Sequence, residues 1–140
     1  MNIQIIIVTG AIIQDGNKFL IGRRGPDEKS PGMWEFPGGK LEYGESLQYC
    51  IKRELKEELD IDAEIGGLYH EYTYKYPHVW YELYFYKVKK FNGHPIKLAH
   101  DRLIWETLEN FNKYDFLPGD GPVITKLIND KKNKTSQDTN

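Results

Sequence analysis

The sequence predicts an α/β fold in one domain, residues 1–130, followed by a polar tail, residues 131–140. Three observations predict it: β-branched and aromatic stretches stand before and after a single acidic helix, a second apolar helical face lies near the C-terminus, and no repeat, linker or composition break divides the chain. With 140 residues, 39% apolar and 14% aromatic, the chain is long enough and apolar enough to bury a core. The formal charge of −2 gives none of the basic face that a nucleic-acid polymer requires, whereas a small phosphate compound needs only a few local cations.

Residues 3–13 are rich in β-branched side chains and run into Asp15-Gly16-Asn17, a hairpin signal, so residues 18–24 read as the returning strand. The apolar run at 5–8 is too short for a membrane span and follows no basic residue, so it reads as a strand and not a signal peptide. Arg23 and Arg24 end the second strand, either as edge charges that deter aggregation or, next to the acids that follow, as phosphate or base contacts. Residues 25–32 (GPDEKSPG) form a turn-rich loop of the kind that gates sites. Residues 34–36 make a short strand, and Pro37-Gly38-Gly39 a turn whose small residues let a ligand approach the backbone.

Beyond the helix, residues 63–74 and 80–89 read as two long strands. The seven tyrosines from Tyr69 to Tyr86 serve sheet packing or include a stacking platform for a base. His70 and His78 have no metal-ligand partner at a recognisable spacing. Residues 91–95 read as a hairpin turn, and 96–98 and 102–105 as strand pieces around a loop at 99–101. Residues 108–114 suggest a short helix, and 117–122 a loop into the last helix, with Asp120 as N-cap and Val123, Ile124, Leu127 and Ile128 as its apolar face. The tail has no apolar residue and reads as disordered.

The acidic helix organises the chain. Ser46 is its N-cap with Glu45 alongside, and Leu47, Ile51 and Leu55 recur as one buried stripe. At roughly 100° per residue, Glu54, Glu57 and Glu58 share an arc of about 100° that points away from that stripe. A solvated Glu/Lys face is the plain alternative. The spacing argues against it: Glu54–Glu58 and Lys52–Lys56 are like-charge i,i+4 pairs, Glu54–Glu57 is a like-charge i,i+3 pair, and Arg53–Glu57 has the less favourable order. The acids also occupy the C-terminal half, where the helix dipole opposes them by about 0.3–1 kcal/mol each. A hard divalent cation, completed by substrate phosphates, removes that repulsion. Cys50 is the only cysteine, so it forms no intrachain disulfide; beside the buried stripe it reads as a core residue.

Gly39, five residues, Glu45, seven residues, then Arg53-Glu54-Leu55-Lys56-Glu57-Glu58-Leu59-Asp60-Ile61 resembles the signature box of the Nudix hydrolases, with Asp60 where the family has Gly. Arg23-Arg24, Trp34-Glu35-Phe36-Pro37-Gly38-Gly39, Trp105 and the stretch 115–124 (DFLPGDGPVI) extend the resemblance to the MutT-like branch, including its CTP pyrophosphohydrolases. The resemblance implies an α/β/α sandwich with a mixed sheet, and hydrolysis of a nucleoside triphosphate to the monophosphate and pyrophosphate. It implies a metal site of the Gly38 carbonyl, Glu54, Glu57 and Glu58, holding Mg2+ or alternatively Mn2+. Glu54 would orient or deprotonate water, with Glu57 the runner-up, while Arg53 holds Glu45 or another carboxylate. Arg23, Arg24, Phe36 and Asp120 would contact the substrate. Many MutT-like sequences carry Glu where this chain has Ala99, so either Asp101 substitutes or the box glutamates act alone. Enzymes that remove oxidised guanine nucleotides carry Asn where this chain has Asp120; an ionised Asp suits an exocyclic amine, which points to CTP or modified cytosine or purine triphosphates. Other diphosphate substrates (ADP-ribose, a nucleotide sugar, a dinucleoside polyphosphate) and a non-catalytic binding module are the alternatives. A cytoplasmic monomer or homodimer, with no membrane or nucleic-acid partner, completes the expectation.

Overall fold

The structure is a computed structural model that describes residues 2–138, with side chains through residue 134. In chain order the elements are β1 Gln4–Ile12, β2 Gln14–Asp15, β3 Lys18–Arg24, β4 Trp34–Glu35, β5 Gly38–Lys40, α1 Leu47–Leu59, β6 Asp62–Lys75, β7 Val79–Asn92, β8 His100–Thr107 and α2 Gly121–Asp138. Short 3-10 turns occupy Leu108–Lys113 and Pro118–Asp120.

The expected α/β architecture and mixed sheet are present. A four-stranded sheet runs β5-β1-β7-β6, with β1 parallel to β7 and antiparallel to β5. A second, antiparallel sheet is built on β3, which pairs with β2, β4 and β8. Consecutive residues of a strand face opposite ways, and residues 11–13 show the consequence. Ile12 joins one buried cluster with Phe85, Val123 and Leu127, while Ala11 and Ile13 join another with Ile51, Leu55 and Leu59. The two helices therefore cover opposite faces, and the strands between them are apolar on both sides.

That double burial explains where the sequence reading of strand pairing fails. Residues 3–13 and 18–24 do not form a hairpin with each other; only Gln14–Asp15 folds back on β3, and β1 pairs with β5 and β7 instead. Likewise residues 96–98 are not a strand, and β8 starts at His100 and pairs with β3 rather than returning on β7. Local turn chemistry marks the bends at Gly16 (φ 63°) and Gly93 (φ 101°), but which strand accepts the next is settled by the buried faces.

Helix α1 forms as its sequence requires. Ser46 Oγ accepts from the Tyr49 N–H at 3.1 Å, and Cys50, Ile51, Leu55 and Leu59 are buried, extending the expected stripe at both edges. Asp60 ends the helix in the left-handed region at φ 56°, ψ 41°, the conformation that glycine adopts without strain. Its N–H bonds the Lys56 carbonyl and its carboxylate pairs with Lys56 at 3.0 Å. At the other end of the chain, α2 continues through Asp138, so the expected disorder from residue 131 gives way to helix at least that far. After Pro122 no Gly or Pro interrupts it, and the packed turn around Val123 and Leu127 seeds it. Residues 139 and 140 lie outside the described residues. Among those described, no helix is long and apolar enough to cross a membrane.

Asp60→Gly should raise the unfolding free energy by about 0.5–1 kcal/mol, because the strained φ is relieved and an exposed ion pair is worth little. Urea melts of the two chains check this; a less stable variant would show that the Asp60 carboxylate, not its backbone, decides the position.

Candidate active site

Gly38 and Gly39, which the sequence suggests are part of a turn, form with Lys40 a strand that places the acidic face of α1 against backbone. The Ala11 N–H donates to the Pro37 carbonyl and the Leu41 N–H to the Ile7 carbonyl. By the alternation of an antiparallel ladder, Gly38 therefore turns its N–H and carbonyl away from β1. Its N–H donates to Glu58 Oε2 at 2.9 Å. A Cβ on Gly38 would lie 2.0 Å from the Thr9 carbonyl oxygen, and one on Gly39 would lie 2.4 Å from Glu54 Cδ. Gly38 is needed where β5 crowds the β1 backbone, and Gly39 where it touches the Glu54 carboxylate. The acids thus do not point into solvent as a free helix face would; Glu54 and Glu58 are covered by β5, while the Glu57 side chain is 58% exposed.

Arg53 binds the acids together. Its Nε and Nη2 donate to Glu45 Oε2 and Oε1 at 2.5 and 2.8 Å, its Nη1 to Glu54 Oε1 at 3.0 Å and Glu57 Oε2 at 3.1 Å, and Nη2 also to the Lys40 carbonyl at 3.2 Å. The guanidinium fork is matched to this bidentate task. The Glu42 N–H also donates to Glu45 Oε1 at 2.8 Å. Glu45 is consequently held to about 2, chiefly by the Arg53 hydrogen bonds.

The other carboxyls respond to burial. Glu54 is shifted upward, first by burial. Glu58 is pushed up to about 9 by burial, then by the negative charges of Glu35 and Glu54. Glu35 and His100 are residues that spacing did not single out: His100 Nε2 and Glu35 Oε2 are 3.0 Å apart, and Glu35, Glu58 and His100 offer ligand atoms all within 4.8 Å of one another. The signal was present in the strand period, since Trp34 and Phe36 are buried and Glu35 between them must face the opposite way. Buried acids that resist ionisation, beside a carbonyl turned the same way, match the oxygen donor set of a hard divalent cation, so the residues fit a metal site.

Arg23 and Arg24 flank this cluster, each already paired. Arg23 Nε and Nη2 donate to Asp101 at 2.7 and 3.1 Å, and Arg24 Nη1 donates to Glu35 Oε1 at 2.9 Å. Asp101 therefore faces Arg23, whose hydrogen bonds hold its carboxyl below the usual range. Beyond Glu35, Phe36 is buried and its N–H donates to Asp120 Oδ2 at 2.8 Å. Asp120 thus bonds β4's neighbour rather than the N-terminus of α2 as a cap. Burial pushes it up to about 8, so at neutral pH this acid is mainly protonated and can donate as well as accept, unlike the ionised group the sequence suggested.

This arrangement, a glycine-backed strand against a helix whose acids share one arginine, is that of a recognised class. The model of the NUDIX domain matches residues 5–127, and the chain belongs to that family. Among curated proteins it is 35% identical to the 8-oxo-dGTP diphosphatase of Escherichia coli over 86% of this chain and 94% of that one. It is 32% identical to the CTP pyrophosphohydrolase of the same organism, over 89% and 93%. Among solved structures, the E. coli ORF135 protein superposes with a TM-score of 0.81 at 31% identity, covering 90% of each chain.

The Glu45 carboxyl, lowered in the folded chain, contributes stability that is present above the ordinary carboxylate range and lost as pH falls toward about 2. Thermal melts between pH 5 and 2 should therefore show a shallower loss in Glu45→Gln than in the parent, although the variant starts less stable. Parallel pH profiles would mean the Arg53 pairing does not set this ionisation.

Proposed function

We propose that the chain is a Mg2+-dependent nucleoside triphosphate pyrophosphohydrolase, releasing the monophosphate and pyrophosphate in nucleotide-pool sanitation. The observation that carries this reading is the Arg53-centred set of carboxylates held against the Gly38–Lys40 backbone. The relatives with a printed activity act on nucleoside triphosphates, which supports the same reaction class here.

Water attacking a phosphoanhydride needs neutralised phosphate oxygens, an aligned nucleophile and a proton acceptor. A bound divalent ion supplies charge neutralisation and a more acidic water; Gly38, Glu54, Glu57 and Glu58 are the residues that would hold it. The chain's own groups supply the rest. Arg53 takes Glu54 Oε1, which leaves Oε2 free to orient water or accept its proton, and the upward shift of Glu54 makes it a better base than an exposed acid. Glu57, also bonded to Arg53 but largely exposed, is the second candidate. Glu45 keeps the guanidinium aligned without touching substrate. Arg23, with Nε and Nη2 on Asp101, retains Nη1 for a phosphate oxygen, and Arg24 lies between Glu35 and the 25–32 loop. Phe36 and Asp120 form the base end. Asp120 accepts from the exocyclic amine of cytosine or adenine or of their modified forms.

A screen of nucleoside triphosphates with Mg2+, reading pyrophosphate, tests this directly. Release from CTP or a modified cytosine or adenine nucleotide is expected; 8-oxo-dGTP outpacing every one of these by orders of magnitude would reverse the base assignment. Glu54→Gln should lower kcat about 10²–10⁴-fold with the fold intact, and unchanged turnover would remove Glu54 from its role.

A further inference from the structure

Tyr72 Oη is buried and has no hydrogen-bond partner. Leaving a hydroxyl in that state is unfavourable, and its surroundings suggest what relieves it. The Tyr72 ring stacks on Phe85 with centroids 6.4 Å apart and planes 13° apart, and Phe85 meets Phe36 edge-on at 6.2 Å. Phe36 in turn carries Asp120 on its N–H. From the other side, the Pro118–Asp120 turn closes over the hydroxyl: a Cβ at Gly119 would lie 3.9 Å from Tyr72 Oη. Burial raises the Tyr72 phenol, so it stays a hydrogen-bond donor. An aromatic wall thus ends in two adjacent polar groups, of which Asp120 has a protein partner and Tyr72 has none.

We propose that Tyr72 is a specificity-determining residue whose hydroxyl donates to a ring nitrogen of the base while Asp120 accepts from the amine beside it. The inference rests on reading the site as a nucleoside triphosphate site and deepens it. An amine next to an unprotonated ring nitrogen is shared by cytosine and adenine, whereas uracil presents a carbonyl and an N–H at the corresponding atoms. A site built to meet such an edge rejects a base that lacks it far more strongly than an apolar pocket does.

The test measures binding rather than turnover. The full chain and Tyr72→Phe are titrated calorimetrically, with Mg2+, against the α,β-methylene analogues of CTP, ATP and UTP. The parent should bind the CTP or the ATP analogue about 10-fold or more tighter than the UTP analogue, and whichever is preferred identifies the base. Tyr72→Phe should compress that ratio to within about threefold while leaving UTP-analogue affinity unchanged, and its Tm without ligand should be equal or higher because only an unsatisfied hydroxyl is lost. A ratio that survives the substitution, a parent that prefers the UTP analogue, or a Tm lower by several degrees would overturn the assignment. Because binding is read, a parent that binds analogues but releases no pyrophosphate would refute the hydrolytic reading alone.

Discussion

The pairing of Arg53 with Glu45 is the interaction on which the site depends. Four carboxylates, those of Glu42, Glu45, Glu54 and Glu57, lie within 4.0 Å of one guanidinium. Without it they would repel one another, and Glu57 lies in the last turn of α1, where the helix dipole already disfavours negative charge. Glu45 takes two of the donors and fixes the plane of the fork, so the remaining nitrogen reaches Glu54 and Glu57 from a set direction. The same contact ties the loop before α1 to its second turn, and through the Lys40 carbonyl to β5. A lysine could balance the charge but could not hold three elements at fixed angles.

Backbone contact is the second constraint. Gly38 lets β5 lie close against β1, and Gly39 lets it approach α1 so closely that Glu54 and Glu58 lose water, Glu54 keeping only a shared Arg53 as its cation. Glu58 is left with one backbone N–H and the nearby charges of Glu35 and Glu54, the state in which a carboxyl prefers its proton. The line of acids continues through Glu35, which Arg24 bonds, to Asp120 on the Phe36 N–H. The fold carries this line because Trp34 and Phe36 anchor β4 in the core on either side of Glu35.

The parts of this arrangement that depend on local spacing were legible in the sequence. The N-cap at Ser46, the buried stripe through Ile51 and Leu55, the acidic arc and the bonding of Arg53 to Glu45 follow from helical periodicity and the box that resembles the Nudix signature. Long-range choices were not legible. The partner of β1 is settled by burial on both faces of residues 11–13, which a turn at Asp15-Gly16 cannot report, and the strand at 38–40 looks like a turn until β1 pairs with it. Charge states were also hidden: Asp120 read as an ionised acceptor because its sequence neighbours are loop residues, whereas burial across 84 residues against Phe36 makes it a mainly neutral acid.

The central claim is that buried acids on α1 wait for a divalent cation, and Glu58 reports it most directly. A carboxyl raised to about 9 holds a proton in the folded chain that the unfolded chain releases, so stability is lost as pH rises from about 4.5 toward 9, and a cation that displaces the proton should help most at the alkaline end. Thermal melts with and without saturating Mg2+ should show a larger rise in Tm at pH 8.5 than at pH 6, and Glu58→Gln should abolish the difference between the two. A Tm indifferent to Mg2+ at both pH values, or a variant that responds as the parent does, would contradict the account.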